Sequence, residues 1–331
     1  MPASLKLLLF ALSAIAACGA HAGGSNYGIM PGTKMISGKI TEWPVPTPKY
    51  PRDPVPGPDG NIYFAEMEGD RIAQFNPGTQ RFQEWNLAPG TRPRGLLVTR
   101  DGKVMFASAG HGTIGELDPA TGKAREYQIS SAGSEPYTMV FDANGNVWFT
   151  GRKSDKLGKL DRASGRIAEY PVGSGPYGVV PDHNGYMWVT RKDAHMLVRL
   201  DPQTGKIQEL FMGVGSQPRR TAVAQDGMLW VSLYGTGKLA KVDPAAGKVI
   251  RVYDMPGGPN AGPYAVTVDG SGRLWVSEIQ SDNVAVLDPR SETFQVFKLP
   301  SRNTGIRKAV IDAAGRYWYV GSHSGKLGVI E

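Results

Sequence analysis

Cysteine is nearly absent from this chain: the one residue, Cys18, lies inside an apolar N-terminal stretch. If that stretch is removed, no thiol remains, which excludes disulfides, thiolate nucleophiles and cysteine metal sites. Helical patterning is also missing, because beyond the first twenty residues no segment sustains an apolar period of about 3.6 residues. No Lys/Arg run of the kind that marks a nucleic-acid-binding arm occurs, so nucleic acid is not an expected partner. The glycine-rich stretches lie between strand-like segments and match no phosphate loop, and no serine, cysteine or dinucleotide motif appears. Charge is moderately basic, with 37 Lys+Arg against 30 Asp+Glu, and the excess is spread along the chain.

The N-terminus stands apart. Met1 to Ala22 carries one Lys, an apolar run from Leu7 to Ala17, and Ala20-His21-Ala22 before Gly23-Gly24. This is the pattern of a secretory signal with a small-x-small cleavage site, too short for a stable membrane anchor. Ile15-Ala16-Ala17-Cys18 also matches a lipobox, in which Cys18 would become a lipidated first residue. Both routes predict an exported protein, periplasmic or secreted in the first case and lipid-anchored in the second, with no transmembrane segment.

What is abundant is repetition. Seven times the chain gives an opening position, usually Pro, then Arg or Tyr, a short apolar run, an Asp/Asn/Gly turn and an aromatic-centred strand. The positions twelve beyond each opening are Tyr63, Met105, Trp148, Trp188, Trp230, Trp275 and Trp318, spaced 40 to 45 residues apart. Each copy reads as four short strands. In the third, these are Tyr137 to Phe141, Asn146 to Thr150, Leu157 to Asp161 and Arg166 to Val172, the first two joined by the turn Asp142-Ala143-Asn144-Gly145. A four-stranded repeat of this period predicts an all-β fold, a seven-bladed β-propeller.

The ends predict how the ring closes. The last copy, from Arg307 to Glu331, has room for three strands only, whereas residues 38–45 repeat the fourth-strand text of residues 165–172. The N-terminal strand is therefore expected to complete the last blade and remove the open edges of the stack. The domain reading is a signal peptide at 1–22, a lead-in at 23–37 and one propeller at 38–331, expected to be a monomer.

Chain direction places the residue after each opening at one mouth of the central channel. These residues are Arg52, Arg94, Tyr137, Tyr177, Arg219, Tyr264 and Arg307, with Arg191 among the residues that end the second strands nearby. Guanidinium groups present forked donors to carboxylate, phosphate or sulfate, and phenols add hydrogen bonds and flat apolar faces. An anionic small molecule or peptide is the expected ligand. The competing reading is that the tyrosines only pack the mouth and the arginines pair with Glu66, Glu278, Asp53 or Glu135.

The Pro176-Tyr177-Gly178 opening, the Asp-x-x-Gly-x-x-Trp hairpins and segments such as Lys156-Leu157-Gly158-Lys159-Leu160-Asp161 resemble the streptogramin lyase (virginiamycin B lyase) family over about residues 38 to 331. The resemblance implies a lyase that opens a cyclic depsipeptide by elimination, with a His after the opening Pro as general base and nearby Glu residues holding magnesium. This chain departs from that pattern: none of its seven positions is His. In Glu135-Pro136-Tyr137 the base position is Tyr137, and Gly151-Arg152 stands where a second carboxylate is needed. A phenol serves as a base near neutrality only if cations such as Arg94 or Arg152 depress its pKa. Other candidates for proton transfer are Glu135 and the loop histidines His111, His195 and His323. Glu66, Glu278 and Asp53 form a candidate cation site like that of lactonase-type hydrolases. Three functions remain open: a lyase, a non-catalytic binder of an anionic ligand, and a protein interaction platform.

Overall fold

The computed structural model describes residues 29–30 and 33–331. The proposed signal segment and Cys18 lie outside the described residues. Seven antiparallel sheets are arranged so that each innermost strand touches the innermost strands of both neighbouring sheets, from Pro51–Pro56 round to Ile306–Ile311 and back. The ring is thus closed around a channel, and the chain is an all-β seven-bladed propeller. No described helix is long and apolar enough to cross a membrane.

Closure follows the expected route. Ile40–Pro44 pairs antiparallel with Lys326–Ile330, from Ile40 opposite Ile330 to Pro44 opposite Lys326. One strand went unread in the sequence. Lys34–Met35, within the lead-in, adds to the outer strand Thr293–Lys298 in parallel and makes blade six five-stranded. Two residues carry no readable alternation, yet they cover an otherwise open sheet edge.

The core lies between blades rather than within one. The second strand Ile62–Glu66 sends Tyr63 and Ala65 toward Leu96, Val104 and Phe106 of blade two, while Ile62 and Phe64 meet Trp318, Val320 and Leu327 of blade seven. The repeated Asp-to-Trp spacing serves this packing. Indole nitrogens of Trp148, Trp188, Trp275 and Trp318 donate to Asp142, Asp182, Asp269 and Asp312 at 2.8–2.9 Å. A large apolar ring is thereby buried without orphaning its N–H.

Every innermost strand contains an irregularity of register near its start, just after the opening residue in six blades, as between Pro136 and Met139, Pro176 and Val179, and Pro218 and Thr221, and one residue later in blade one, between Arg52 and Val55. Such a bulge bends the strand and re-aims the side chains it carries. The two residues that follow each opening residue form the two tiers of the site.

Candidate ligand site at the channel mouth

In blades three to six a hydroxyl on the second strand repairs the bulge. Thr190 Oγ1 accepts from Gly178 N at 2.8 Å and donates to Arg219 O, in the next blade, at 2.8 Å. Ser232 does the same between Arg220 N and Tyr264 O, at 3.0 and 2.8 Å, and Thr150 between Thr138 N and Tyr177 O, at 3.1 and 3.0 Å. Ser277 joins Ala265 N to Ile306 O at 2.9 and 3.0 Å. The Thr/Ser that follows each aromatic strand centre therefore fixes the backbone of the mouth residues.

The upper tier is the Arg/Tyr set, and it is packed rather than splayed. Arg52, Tyr137, Tyr177 and Tyr264 are buried, and the three tyrosines form a cluster of their own. Arg52 Nη2 donates to Tyr137 Oη at 3.2 Å, Tyr137 Oη and Tyr177 Oη are 2.6 Å apart, and Tyr177 and Tyr264 join through their hydroxyls. Arg52 and Arg94 stand 4.9 and 4.8 Å from the centre of the Tyr137 ring.

Burial pushes the Tyr137 phenol up, but Arg52 and Arg220, with the hydrogen bonds from Tyr177 and Arg52, outweigh it and bring it down to about 7. Tyr177 moves the opposite way, raised by burial and by the negative charge on Tyr137. Of the two hydrogen-bonded phenols, Tyr137 is the one made more acidic. The cations responsible come from blades one and five, across the channel. Of the pair that sequence proximity suggested, Arg94 and Arg152 cover the ring while turning to Glu135, at 2.9 and 3.7 Å.

The arginines divide by partner. Arg52 meets Asp53 at 3.5 Å and Arg94 meets Glu135, so the pairing alternative holds for these two, although with Glu66 and Glu278 it does not. Arg219 has no hydrogen bond or carboxylate partner among the described residues, and its guanidinium stacks on Tyr234, Tyr177 and Tyr264 at 4.5, 5.1 and 5.5 Å. Arg307 contacts Gly305 O and His323 Nε2, each at 3.1 Å, and lies 6.0 Å from the Tyr264 ring. Two guanidiniums without counter-charge therefore flank Tyr264. Beside them opens a cleft of 590 Å³ between blades five and six, lined by Gln217, Tyr234, Asn260, Gln280 and Ser281. Tyr234 and this cleft were not read from the sequence: Tyr234 follows its second strand at the position that Arg152 and Lys192 hold in blades three and four, while Gln217 and Asn260 belong to interblade loops of unequal length. Arg191 sits apart from the ring, turned outward to Glu209 and Ser174 O.

The histidines are engaged elsewhere. His111 lies between Glu126, at 3.0 Å, and Pro89 O, and the Glu126 hydrogen bond raises its pKa. His195 Nδ1 accepts from Gln217 N at 3.3 Å. Burial, then Arg307, lowers the pKa of His323, whose Nδ1 donates to Asn303 and whose Nε2 lone pair faces Arg307. That lone pair is not available as a base.

Magnesium does not fit at Glu135, where Arg94, Arg152 and Lys153 lie within 3.7 Å and no second carboxylate joins it. Asp53, Glu66 and Glu278 do not converge either. Asp53 sits between Arg52 and Arg220 in the channel. Glu278 accepts from Gly257 N and Asn283 Nδ2, and burial raises its pKa to about 7. Burial, then the neighbouring Glu84, raises that of Glu66 to about 8. No group of three or more metal-binding side chains occurs among the described residues.

Fold and mouth together define a seven-bladed propeller with a cationic, tyrosine-packed centre. The virginiamycin B lyase family model matches residues 80–331, and the chain belongs to that family. A streptogramin B lyase structure is similar at 25% identity and a TM-score of 0.81, covering 88% of this chain and 97% of that one. The catalytically inactive histidine-to-alanine variant of virginiamycin B lyase from Staphylococcus aureus, with quinupristin, is similar at 20% identity and a TM-score of 0.80, covering 89% and 99%. The extracellular domain of a one component system from B. thetaiotaomicron shares the fold at 16% identity and a TM-score of 0.70, covering 89% of this chain and 42% of that one. No curated protein matches the chain.

Proposed function

We propose that this family member is an exported propeller that binds an anionic small molecule, a sugar acid or a peptide carboxylate, at the channel mouth. The observation that carries the reading is the pair Arg219 and Arg307, two guanidiniums without a carboxylate on either side of Tyr264. The acid group meets this pair, and the uncharged polar body lies in the adjoining cleft, where Gln217, Asn260 and Gln280 offer amides and Tyr234 a flat face. Export rests on the N-terminal pattern and agrees with the extracellular setting of a similar propeller. A thermal-shift panel of carboxylates, phosphorylated sugars and their neutral counterparts tests the reading. Stabilisation by acids alone supports it; an equal response to acids and neutral counterparts overturns it.

A second reading, elimination on a cyclic ester, is favoured by one observation: a phenol brought down to about 7 stands at a position following an opening Pro. In this reading Tyr137 takes the proton as general base, and Arg94 and Arg152 face the developing negative charge. The related enzyme is inactive without its histidine, which this chain lacks at all seven positions. Incubation with a type B streptogramin, followed by mass measurement, decides it. An opened product of unchanged mass that Tyr137→Phe fails to form supports this role, and an intact substrate refutes it.

A further inference from the structure

The second residue after each opening forms a lower tier inside the channel: Asp53, Gly95, Thr138, Gly178, Arg220, Ala265 and Lys308. Four of these carry polar or charged side chains, and three are small. The small ones are required by space, since a Cβ on Gly95 would lie 2.5 Å from Tyr137 O and one on Gly178 2.4 Å from Arg219 O. Arg220 is buried, donates from Nη1 to Thr138 Oγ1 at 2.5 Å, and places Nη2 3.5 Å from Asp53 Oδ2. Its Nε and Nη2 complete no hydrogen bond, and Thr221 Oγ1 beside it has no partner. Lys308 Nζ reaches only Leu96 O, at 3.3 Å. Arg220, Thr221, Lys308 and Thr138 line a cavity of 140 Å³ whose walls, Val179, Val180 and Val266, are apolar.

Charge does not balance here. Burial lowers the pKa of Lys308 to about 8, still above neutrality, so near pH 7 Arg52, Arg220 and Lys308 stand against the one carboxylate of Asp53. Ionised Tyr137 offsets one more charge, and a cation remains. An uncompensated buried cation is costly, and a small cavity lined by its donors is where a counter-ion lowers that cost. At roughly 30 Å³ per water, the cavity has the room of about four or five waters, enough for one small anion together with bridging water.

We propose that the channel holds a small inorganic anion, of chloride to sulfate size, bound by Arg220, Lys308 and Thr221 below the Arg/Tyr tier. The site is separate from the mouth: it lies on the hairpin-turn side of the tyrosines, and neither Arg219 nor Arg307 lines it. Its ligand is a structural counter-ion held within the ring.

The full chain is exchanged into a HEPES buffer neutralised with Tris base, free of carboxylates and small inorganic anions, and titrated with sodium chloride, sulfate or phosphate while Tm is followed. A saturable rise of several degrees is expected with at least one ion. Lys308→Met is expected to lose that rise, and Arg219→Ala with Arg307→Ala to keep it. Crystals of the unmodified protein soaked in bromide supply a readout that needs no variant, with an anomalous peak expected between Arg220 and Lys308. A channel without bromide, or a Lys308→Met protein whose ion response equals that of the parent, overturns the proposal. Loss of the mouth ligand with this response intact would count against the mouth reading alone.

Discussion

At the residue scale, the decisive group is Tyr137. Its environment makes it acidic through partners far apart in sequence, Arg52 and Arg220, which only ring closure brings together. The sequence showed that a tyrosine stood at a mouth position, but not which cations would reach it, since both Arg94 and Arg152 were nearer in the repeat. One tyrosine should therefore ionise near pH 7 in the native protein, visible as tyrosinate absorbance, and Tyr137→Phe should abolish that step. An unfolded tyrosine holds its proton to about pH 10. Between these values the unfolded chain binds more protons, so stability contributed by Tyr137 rises with pH across this window and is absent in Tyr137→Phe. Denaturant unfolding at a series of pH values measures both slopes.

Trp230 gives a second residue-scale prediction. Its indole N–H has no partner, because the turn position held by Asp in blades three, four, six and seven is Ala224 in blade five. Ala224→Asp should add the missing bond and stabilise the protein by about 1 kcal/mol. Asp269, in the same position, is pushed up by burial but brought down to about 2 by hydrogen bonds, first from Trp275. By the same sign the gain is full above pH ~4, the unfolded value, and is lost as the pH falls toward 2. Urea unfolding at neutral and acid pH checks both parts.

At the scale of the element, the strands were legible because alternation, turns and period all repeat. The bulges were not. A bulge changes which residue faces the channel without changing composition, so the text gave the Arg/Tyr tier while leaving Arg220 and Lys308 as mere neighbours. Its trace was present in the Thr or Ser near the end of the second strand in blades three to six, which looked like ordinary strand propensity and proves to bind the bulge. Thr190→Val should cost about 1–3 kcal/mol by orphaning Gly178 N and Arg219 O, both buried in the blade four to five contact. Thr190→Ser should keep most of that stability. Chemical denaturation of the two variants separates a lost hydroxyl from a lost methyl. The strand Lys34–Met35 was missed for a different reason: two residues have no period, and the open edge they cover is set by the fold.

At the scale of the whole molecule, closure by Ile40–Pro44 turns seven similar blades into one ring, and similarity ends at the centre. Framework positions repeat because each interblade layer must be filled alike, whereas the bulge residues differ from blade to blade and carry the charge. Six cations, Arg52, Arg94, Arg219, Arg220, Arg307 and Lys308, gather with three tyrosines around one axis, and Asp53 and Glu135 answer only part of that charge. The central claim is that Arg219 and Arg307 are left for a ligand's anionic group. Calorimetric titration of the parent protein and of Arg219→Ala/Arg307→Ala with the acid giving the largest thermal shift tests it most directly. At about 1.5–3 kcal/mol for each hydrogen bond to a charged group, the account predicts an affinity at least roughly 100-fold weaker in the variant. An unchanged Kd would contradict it.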